Sequence, residues 1–177
     1  MGKNTQDKIV LITREFSSGG IVFKAEDRKV LWLVRKTAPS TLYPNTYWML
    51  PKGRVDDTPN DEPGPIASGT IRADEKSLEN AAVREVAEET GVEAKIIKKI
   101  GTTKYSFTDP NRGKIFKFVT YYIMEWVKDL PQGFDKETSE IAWQNYEEAY
   151  KTLSFSNERD ALKKASELLA PVAQRTE

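Results

Sequence analysis

The chain has 177 residues, of which 38% are hydrophobic and 31% charged, a balance typical of one globular domain. Its 27 basic and 27 acidic residues cancel, so no overall positive charge indicates a nucleic acid partner. The absence of cysteine excludes disulfides and thiolate chemistry, and the absence of histidine removes the commonest general base and metal ligand. Acid–base chemistry must therefore fall to carboxylates, lysine, tyrosine or metal-bound water.

The sequence also predicts where the protein resides and how it is divided. No apolar run approaches the roughly 18 residues that a membrane span requires, and no charged-then-apolar leader precedes residue 20. We therefore expect a cytoplasmic protein with no membrane partner. We expect residues 1–15 to form an N-terminal segment that need not be ordered, residues 16–170 to form one domain, and residues 171–177 to form a tail.

The first part of the chain predicts strands. Residues 21–23 and 30–34 are rich in β-branched and aromatic side chains and flank the polar stretch "KAEDRK", which favours a hairpin. The stretch "NTYWMLPKGRVDD" predicts a short strand that is broken by Pro51 and Gly53. The Pro, Gly and Asp residues that follow, in "TPNDEPGPIASGT", predict an exposed loop.

A helix is predicted over residues 78–90. Leu78, Ala82 and Val86 recur at every fourth position, which is the spacing of one buried helical face. Ser77 is the predicted N-cap, and Gly91 stands where a left-handed residue ends many helices.

The last part of the chain returns to strands and ends in helices. Two long strands, "VEAKIIKKIGTTKYSF" and "KIFKFVTYYIMEW", are joined by the turn "TDPNRG", and "EIAWQN" follows as a shorter strand. The stretch "NYEEAYKTL" predicts a short helix, and a last helix runs from Ser156 until Pro171. This order, without regular strand–helix alternation, predicts an α+β fold with a mixed sheet.

Three glutamates in "REVAEETGV" carry the strongest functional signal. Glu85, Glu88 and Glu89 are spaced i, i+3 and i+4, so on a helix they share one face although their charges repel. One interpretation is a solvated acidic face. The other is a metal site, because Mg²⁺ takes a few carboxylates together with phosphate oxygens. The rarity of the full Arg-Glu-x-x-Glu-Glu-x-Gly pattern favours the metal.

The same stretch resembles a known family. "LENAAVREVAEETGV" is similar to the helix of the Nudix box, "PKGRVDD" is similar to its glycine loop, and the likeness spans residues 16–169. Two features depart from the family. Gly53 precedes Arg84 by 31 residues instead of fourteen, which predicts an insertion at residues 57–73. The family's first glutamate falls on Lys76, and Glu75 stands one position earlier.

The resemblance implies a Nudix α/β/α sandwich and a hydrolase that cleaves a nucleoside diphosphate derivative by water attack on phosphorus. The cofactor it implies is Mg²⁺, with Mn²⁺ as an alternative. The implied metal ligands are the three helix glutamates and one backbone carbonyl: Glu85, Glu88, Glu89 and Gly53. Arg84 would orient a glutamate through a bidentate pair. Several carboxylates stay open as the general base: Glu85, Glu88, Glu137 and Glu140.

Two further stretches resemble the hydrolases of diadenosine polyphosphates, namely "YWMLPKG" and "LSFSNERDALKKASELL". In that subgroup basic side chains hold the extra phosphates, and the candidates here are Lys52, Lys114 and Lys117. Tyrosines stack on adenine, and the candidates here are Tyr43, Tyr105 and Tyr122. The implied partner is a small nucleotide, such as diadenosine tetraphosphate, with no nucleic acid partner.

Other interpretations stay open at the level of sequence. The substrate could be an inositol pyrophosphate, an oxidised nucleoside triphosphate or an RNA 5′ end. A binding module that has lost catalysis is the alternative from another class, and Lys76 is its main support. The insertion at 57–73 is either a functional rim of the cleft or a disordered loop. The oligomeric state is also open.

Overall fold

A mixed sheet forms the centre of the molecule in the computed structural model, which describes residues 13–173 and the side chains of residues 13–170. The strands are β1 (Thr13–Glu26), β2 (Lys29–Thr37), β3 (Trp48–Met49), β4 (Lys52–Arg54), β5 (Val92–Asp109), β6 (Gly113–Asp129) and β7 (Thr138–Gln144). The helices are α1 (Glu75–Thr90), α2 (Tyr146–Thr152) and α3 (Ser156–Ala173).

The strands are ordered β3-β2-β1-β6-β5, with β4 paired to β1 and β7 paired to β2. Strands β1 and β6 run parallel, and the other pairs are antiparallel. Both β4 and β2 pair with β1, β4 at residues 17–19 and β2 at residues 23–26, so the two strands follow each other along β1. The C-terminal half of α1 lies beside β4.

Both predicted hairpins are confirmed. Phe23 pairs with Trp32 across the β1–β2 hairpin, whose turn residues Asp27 and Arg28 have φ values of 48° and 62°. Two consecutive positive φ values are typical of the tight turns that match strand twist. Asp109 pairs with Gly113 at the end of the β5–β6 hairpin, which places the turn inside the predicted "TDPNRG".

Helices cover both faces of the sheet, so the predicted α/β/α sandwich with a mixed sheet is confirmed. On one face, Ala82 and Val86 of α1 pack against buried strand residues that include Val22, Leu33 and Met124. On the other face, the apolar sides of α2 and α3 pack against a second cluster. Among the described helices, none is long and apolar enough to cross a membrane.

Helix α1 begins earlier than predicted. Its N-cap is Asp74, whose carboxylate accepts a hydrogen bond from the Ser77 N–H at 2.7 Å, so the prediction that Ser77 caps the helix is wrong. An aspartate at this position satisfies a backbone donor that the helix leaves unpaired. The predicted end is confirmed, since Gly91 has φ 67° and its N–H bonds the Ala87 carbonyl at 3.0 Å.

Replacing Asp74 by alanine is expected to lower the free energy of unfolding by about 1 kcal/mol, because an N-cap hydrogen bond is lost. Urea denaturation followed by circular dichroism measures the change. Asp74→Asn is the control, since an asparagine oxygen accepts the same bond and should keep most of the stability. Equal stability of Asp74→Ala and the unchanged protein would show that the cap contributes nothing.

The chain ends differ from the predicted boundaries in two places. Strand β1 begins at Thr13, three residues before the predicted domain start at 16, and residues 1–12 of the predicted N-terminal segment lie outside the described part. Helix α3 continues through Pro171 to Ala173, and residues 174–177 of the predicted tail also lie outside it.

The insertion at residues 57–73 is an ordered part of the fold. The Ala67 carbonyl accepts the Phe16 N–H of β1 at 2.8 Å, and Ala67 is fully buried. The Asp56 carboxylate accepts the backbone N–H groups of Ile66 at 3.1 Å and Ala67 at 2.6 Å. These contacts pack the segment against β1 and the end of β4. The segment covers the edge of β1 beyond β4.

Candidate active site

The C-terminal half of α1 presents its three glutamates to different surroundings. Glu85 is 8% exposed and Glu89 is 4% exposed, whereas half of the Glu88 side chain is exposed to solvent. Glu85 and Glu89 both face strand β4. The shared helical ridge is therefore made of two buried carboxylates and one at the surface.

Glu89 is held on both of its oxygens. Oε2 accepts the backbone N–H of Lys52 at 2.8 Å, and Oε1 accepts a hydrogen bond from Arg35 Nη2. Thr138 Oγ1 donates to the Glu89 carbonyl at 2.7 Å, which ties the start of β7 to the end of the helix. Burial raises the pKa of Glu89, although Arg35 and Lys52 oppose the shift.

Glu85 packs against the backbone of Gly53. A Cβ placed on Gly53 would overlap the Glu85 carboxyl group, so any larger residue at this position would require that carboxyl group to move. Burial raises the pKa of Glu85 to about 8; Arg84 opposes the shift, and the charges of Glu89, Glu88 and Glu137 add to it. Burial thus outweighs the neighbouring Arg84 guanidinium, and a further positive charge beside Glu85 would favour its ionised form.

Arg84 bridges two glutamates instead of pairing with one. Its Nη2 lies 2.9 Å from Glu85 Oε1, and its Nη1 lies 3.4 Å from Glu88 Oε2. Nη2 also donates to the Arg54 carbonyl at 2.8 Å, which joins α1 to β4. The prediction of a bidentate pair with a single glutamate is corrected accordingly.

This donor set fits a divalent cation of the magnesium type. Glu85 and Glu89 approach the adjacent residues Gly53 and Lys52, so two carboxylates and the backbone of β4 meet at one place. Hard oxygens from one or two carboxylates are what Mg²⁺ takes from proteins. Among the described residues, no three acidic side chains come close enough together to hold a metal ion, and Glu88 is the most exposed of the three helix glutamates.

Replacing Gly53 by alanine is expected to lower turnover by about 10²-fold, because displacing a positioned group by about 1 Å can cost that much. The added methyl group would push the Glu85 carboxyl out of place. Steady-state kinetics on any substrate that the protein turns over measures the effect. Gly101→Ala is the control, since it strains β5 at φ 139° without meeting a neighbouring atom and should leave turnover unchanged. Equal activity of Gly53→Ala and the unchanged protein would contradict this assignment.

Lys52 is committed to an internal acid. Its Nζ lies 2.5 Å from Glu158 Oε1, and the two side chains are 7% and 1% exposed. Glu158 also accepts the Leu50 N–H at 3.2 Å and the Tyr121 hydroxyl at 3.3 Å. The sequence predicted that the Lys52 ammonium binds phosphate. In the structure it is instead paired with Glu158 and is not free to do so.

Lys117 is similarly engaged. Its Nζ donates to Glu15 Oε1 at 2.9 Å, and Arg112 Nη1 donates to Glu15 Oε2 at 2.8 Å. Burial alone would raise the pKa of Glu15, but the two cations outweigh it and the pKa is lowered. Lys114 is exposed, with Nζ 5.1 Å from the centre of the Phe116 ring. Of the three predicted phosphate-binding lysines, only Lys114 lacks an acidic partner among the described residues.

The three predicted tyrosines lie in different places. Tyr122 is 1% exposed in the core beneath α1, and its hydroxyl donates to Glu75 at 2.6 Å, so it cannot stack on a base as predicted. Tyr105 lies on the other face beside Lys117, and burial raises its pKa to about 12. Tyr43 is 45% exposed, and its hydroxyl donates to Asp109 at 2.7 Å.

The two acids predicted from "FDKETSEIAW" are separated by the sheet. Glu137 precedes β7 and lies in a stretch that meets the end of α1, since Thr138 Oγ1 donates to the Glu89 carbonyl and the Asp135 N–H donates to the Glu88 carbonyl. Glu140 is exposed and 4.0 Å from Lys36, while its neighbour Ile141 packs beneath α1. Because successive strand residues point to opposite faces, Glu140 faces away from the helix glutamates. The structure does not bring Glu140 to the site.

Two residues of this region were missed at the level of sequence. Arg35 contacts Glu89, and Glu158 contacts Lys52. Arg35 stands at the end of the apolar run "VLWLVRK", which predicts a buried strand. Because a charged side chain is rarely buried without a partner, this arginine indicated that an acidic partner lies nearby. Glu158 carried no such signal, because an acid in the first turn of a helix is ordinary.

Comparison with known proteins shows which family and which relative the sequence of this chain is similar to. The sequence profile of the NUDIX domain matches residues 13–165. A relative named as a mutator protein, MutT4, from Mycobacterium tuberculosis (strain CDC 1551 / Oshkosh), is 31% identical over 122 residues, covering 69% of this chain and 42% of that protein. The chain thus spans less than half the length of this relative.

Solved structures share the fold. An Ap4A hydrolase from C. elegans, in a binary complex, is 19% identical with a TM-score of 0.62, covering 89% of this chain and 98% of that one. The NUDIX domain of NrtR from Shewanella oneidensis, complexed with ADP ribose, is 17% identical with a TM-score of 0.63, covering 94% of this chain and 95% of that one. At these identities the likeness establishes the fold.

Proposed function

Because the chain belongs to the Nudix family, we propose that it is a Mg²⁺-dependent pyrophosphohydrolase of a nucleoside polyphosphate, acting by water attack on phosphorus. The observation that carries the proposal is the pair of buried carboxylates, Glu85 and Glu89, packed against Lys52 and Gly53. Each acid pairs with one arginine, yet burial still raises the pKa of both carboxyl groups, so a further cation would favour their ionised forms. A nucleotide diphosphate with its metal supplies that cation.

The residues divide the work between binding and orientation. Glu85, Glu89 and the Gly53 carbonyl would hold the metal, with Glu88 available at the surface. The metal, Mg²⁺ or Mn²⁺, would neutralise the diphosphate and lower the pKa of a water molecule. Arg84 orients Glu85 and Glu88 by bridging them. Glu137 lies near Glu85 and is our candidate for taking the proton from the attacking water.

For the substrate, we propose a dinucleoside polyphosphate such as diadenosine tetraphosphate, cut asymmetrically. The sequence "YWMLPKG", which ends inside β4, and the exposed Tyr43 and Lys114 support this choice. The shared fold with an Ap4A hydrolase is compatible with it.

A second candidate is a nucleoside diphosphate derivative or triphosphate with a shorter phosphate chain. One observation favours it, since Lys52 and Lys117 are neutralised by Glu158 and Glu15 and are not free for additional phosphates.

A substrate panel tests these choices. Purified protein with Mg²⁺ is incubated with diadenosine tetraphosphate, ADP-ribose, an oxidised nucleoside triphosphate, an inositol pyrophosphate and a 5′-triphosphorylated RNA, and products are separated by chromatography. We expect the highest kcat/KM on diadenosine tetraphosphate, giving unequal products. Hydrolysis in ¹⁸O-labelled water identifies the phosphorus attacked. Preference for a triphosphate favours the second candidate, and binding without turnover of any compound would refute the hydrolase.

A further inference from the structure

Arg35 is a buried cation with unused hydrogen-bonding capacity. It lies on β2 between Met49 of β3 and Ile141 of β7, and it is 5% exposed. Its Nη2 donates to Glu89 Oε1. Among the described residues, Nε and Nη1 have no hydrogen-bond partner. The guanidinium is thus oriented by one carboxylate alone.

Stability does not explain this arrangement. A buried ion pair adds little net stability over apolar side chains of similar volume. Each buried donor without a partner costs about 1–3 kcal/mol. The surroundings are also apolar, since Leu33 on the same strand face and Ile141 both pack beneath α1. An apolar residue at position 35 together with a neutral residue at position 89 would avoid these costs, so the charged pair is better explained by a role that needs it.

We propose that Arg35 is a positioning residue that fixes the Glu89 carboxylate in the orientation in which it receives the divalent cation; this inference rests on the proposed function. The Lys52 N–H on β4 holds Oε2 and Arg35 on β2 holds Oε1, so the carboxylate is fixed from two separate strands. An ionised carboxylate has about four lone-pair sites, so two remain for a metal. Fixing the ligand in advance removes the cost of ordering it when the metal binds.

The test measures metal binding without substrate. Mn²⁺ affinity of the full chain is determined by electron paramagnetic resonance for Arg35→Met and Arg35→Lys. We expect Arg35→Met to weaken Mn²⁺ binding by about tenfold to 100-fold, as removal of a residue that orients a ligand does. Arg35→Lys, which keeps a donor and the charge, should recover part of the loss. With substrate, Arg35→Met should lower kcat more than it changes KM.

A double-variant cycle separates this role from a structural one. Arg35→Met is combined with Glu89→Gln, which removes both charges together and avoids an unpaired buried acid. If Arg35 acts through Glu89, adding Arg35→Met to Glu89→Gln should change Mn²⁺ affinity less than twofold, because effects through a shared partner do not add. Circular dichroism confirms that each variant folds.

Several results would overturn the proposal. Additive losses in the cycle would show that Arg35 does not act through Glu89. Unchanged or tighter Mn²⁺ binding in Arg35→Met would show that the guanidinium is neutral toward the cation or repels it. A wild-type chain that binds no Mn²⁺ would also refute it. If the wild-type chain binds Mn²⁺ but hydrolyses nothing, only the proposed function fails, since the Arg35 comparison is made on binding.

Discussion

Glu85→Gln is expected to lower Mg²⁺-dependent turnover by about 10²- to 10³-fold, because loss of a metal ligand removes several kcal/mol of charge stabilisation and each 1.4 kcal/mol is tenfold. The same change should make the metal-free protein more stable at pH 8. Glutamine has the shape of the protonated acid and does not require a buried charge. Loss of activity with a gain in stability is a combination that misfolding cannot produce.

The pH dependence of stability gives the sign of this effect. Burial raises the pKa of Glu85 from 4.5 to about 8 in the folded protein, so folding takes up a proton between these values. Stability from this group is therefore present at low pH and is lost as pH rises through the window from 4.5 to about 8. Glu85→Gln should remove that part of the pH dependence. Mg²⁺ should restore stability at pH 8 in the wild-type protein only.

Thermal denaturation from pH 5 to pH 9, with and without Mg²⁺, measures both effects, and turnover is measured on the best compound of the substrate panel. Glu79→Gln, on the same helix but outside the glutamate ridge, is the matched control and should leave turnover unchanged. Full activity of Glu85→Gln, or a loss equal to that of Glu79→Gln, would show that Glu85 does not bind the metal.

Lys52→Met is expected to destabilise the fold by about 3–5 kcal/mol, because breaking a buried ion pair leaves its partner as an uncompensated charge. Glu158 is 1% exposed, and without the Lys52 ammonium it keeps only neutral donors, from Leu50 and Tyr121. Chemical denaturation measures the change in the free energy of unfolding. The double variant Lys52→Met/Glu158→Gln should recover more than half of the loss, because glutamine still accepts the Leu50 N–H.

The exposed Lys114→Met serves as the comparison and should change stability by less than about 0.5 kcal/mol. If Lys52 instead holds substrate phosphate, Lys52→Met would raise KM while unfolding stayed at the wild-type midpoint. That pattern would contradict the assignment of Lys52 to the fold and would strengthen the case for a long phosphate chain.

Local patterns predicted the hairpins, helix α1 and an α+β fold with a mixed sheet, whereas the α/β/α sandwich was implied by the resemblance to the Nudix family. The spacing of Leu78, Ala82 and Val86 fixes which face of α1 is buried, and a glycine at 91 fixes where the helix ends. The hairpins follow from apolar strands flanking short polar turns. The start of α1 was predicted too late because Asp74 and Ser77 are both good N-caps, and only the completed turn shows which of them is used.

The partners of the charged side chains could not be predicted in the same way. The Lys52–Glu158 and Lys117–Glu15 pairs join residues about a hundred positions apart, and no local pattern encodes such a meeting. The resemblance to diadenosine polyphosphate hydrolases made Tyr122 a candidate for stacking on a base, and the sequence could not correct this because an aromatic strand residue has the same signature on either face of a sheet. The helix glutamates were found because their spacing is local.

The ordered insertion shows that the motif is defined in space and not along the chain. Arg84 reaches the Arg54 carbonyl at 2.8 Å although 30 positions separate them. The segment between them closes on itself, since Asp57 bridges to Pro63 and Arg54 contacts both Asp57 and Asp61. A search that required fixed spacing between glycine and helix would reject this chain. Such proteins are better recognised by scoring the two halves of the motif separately.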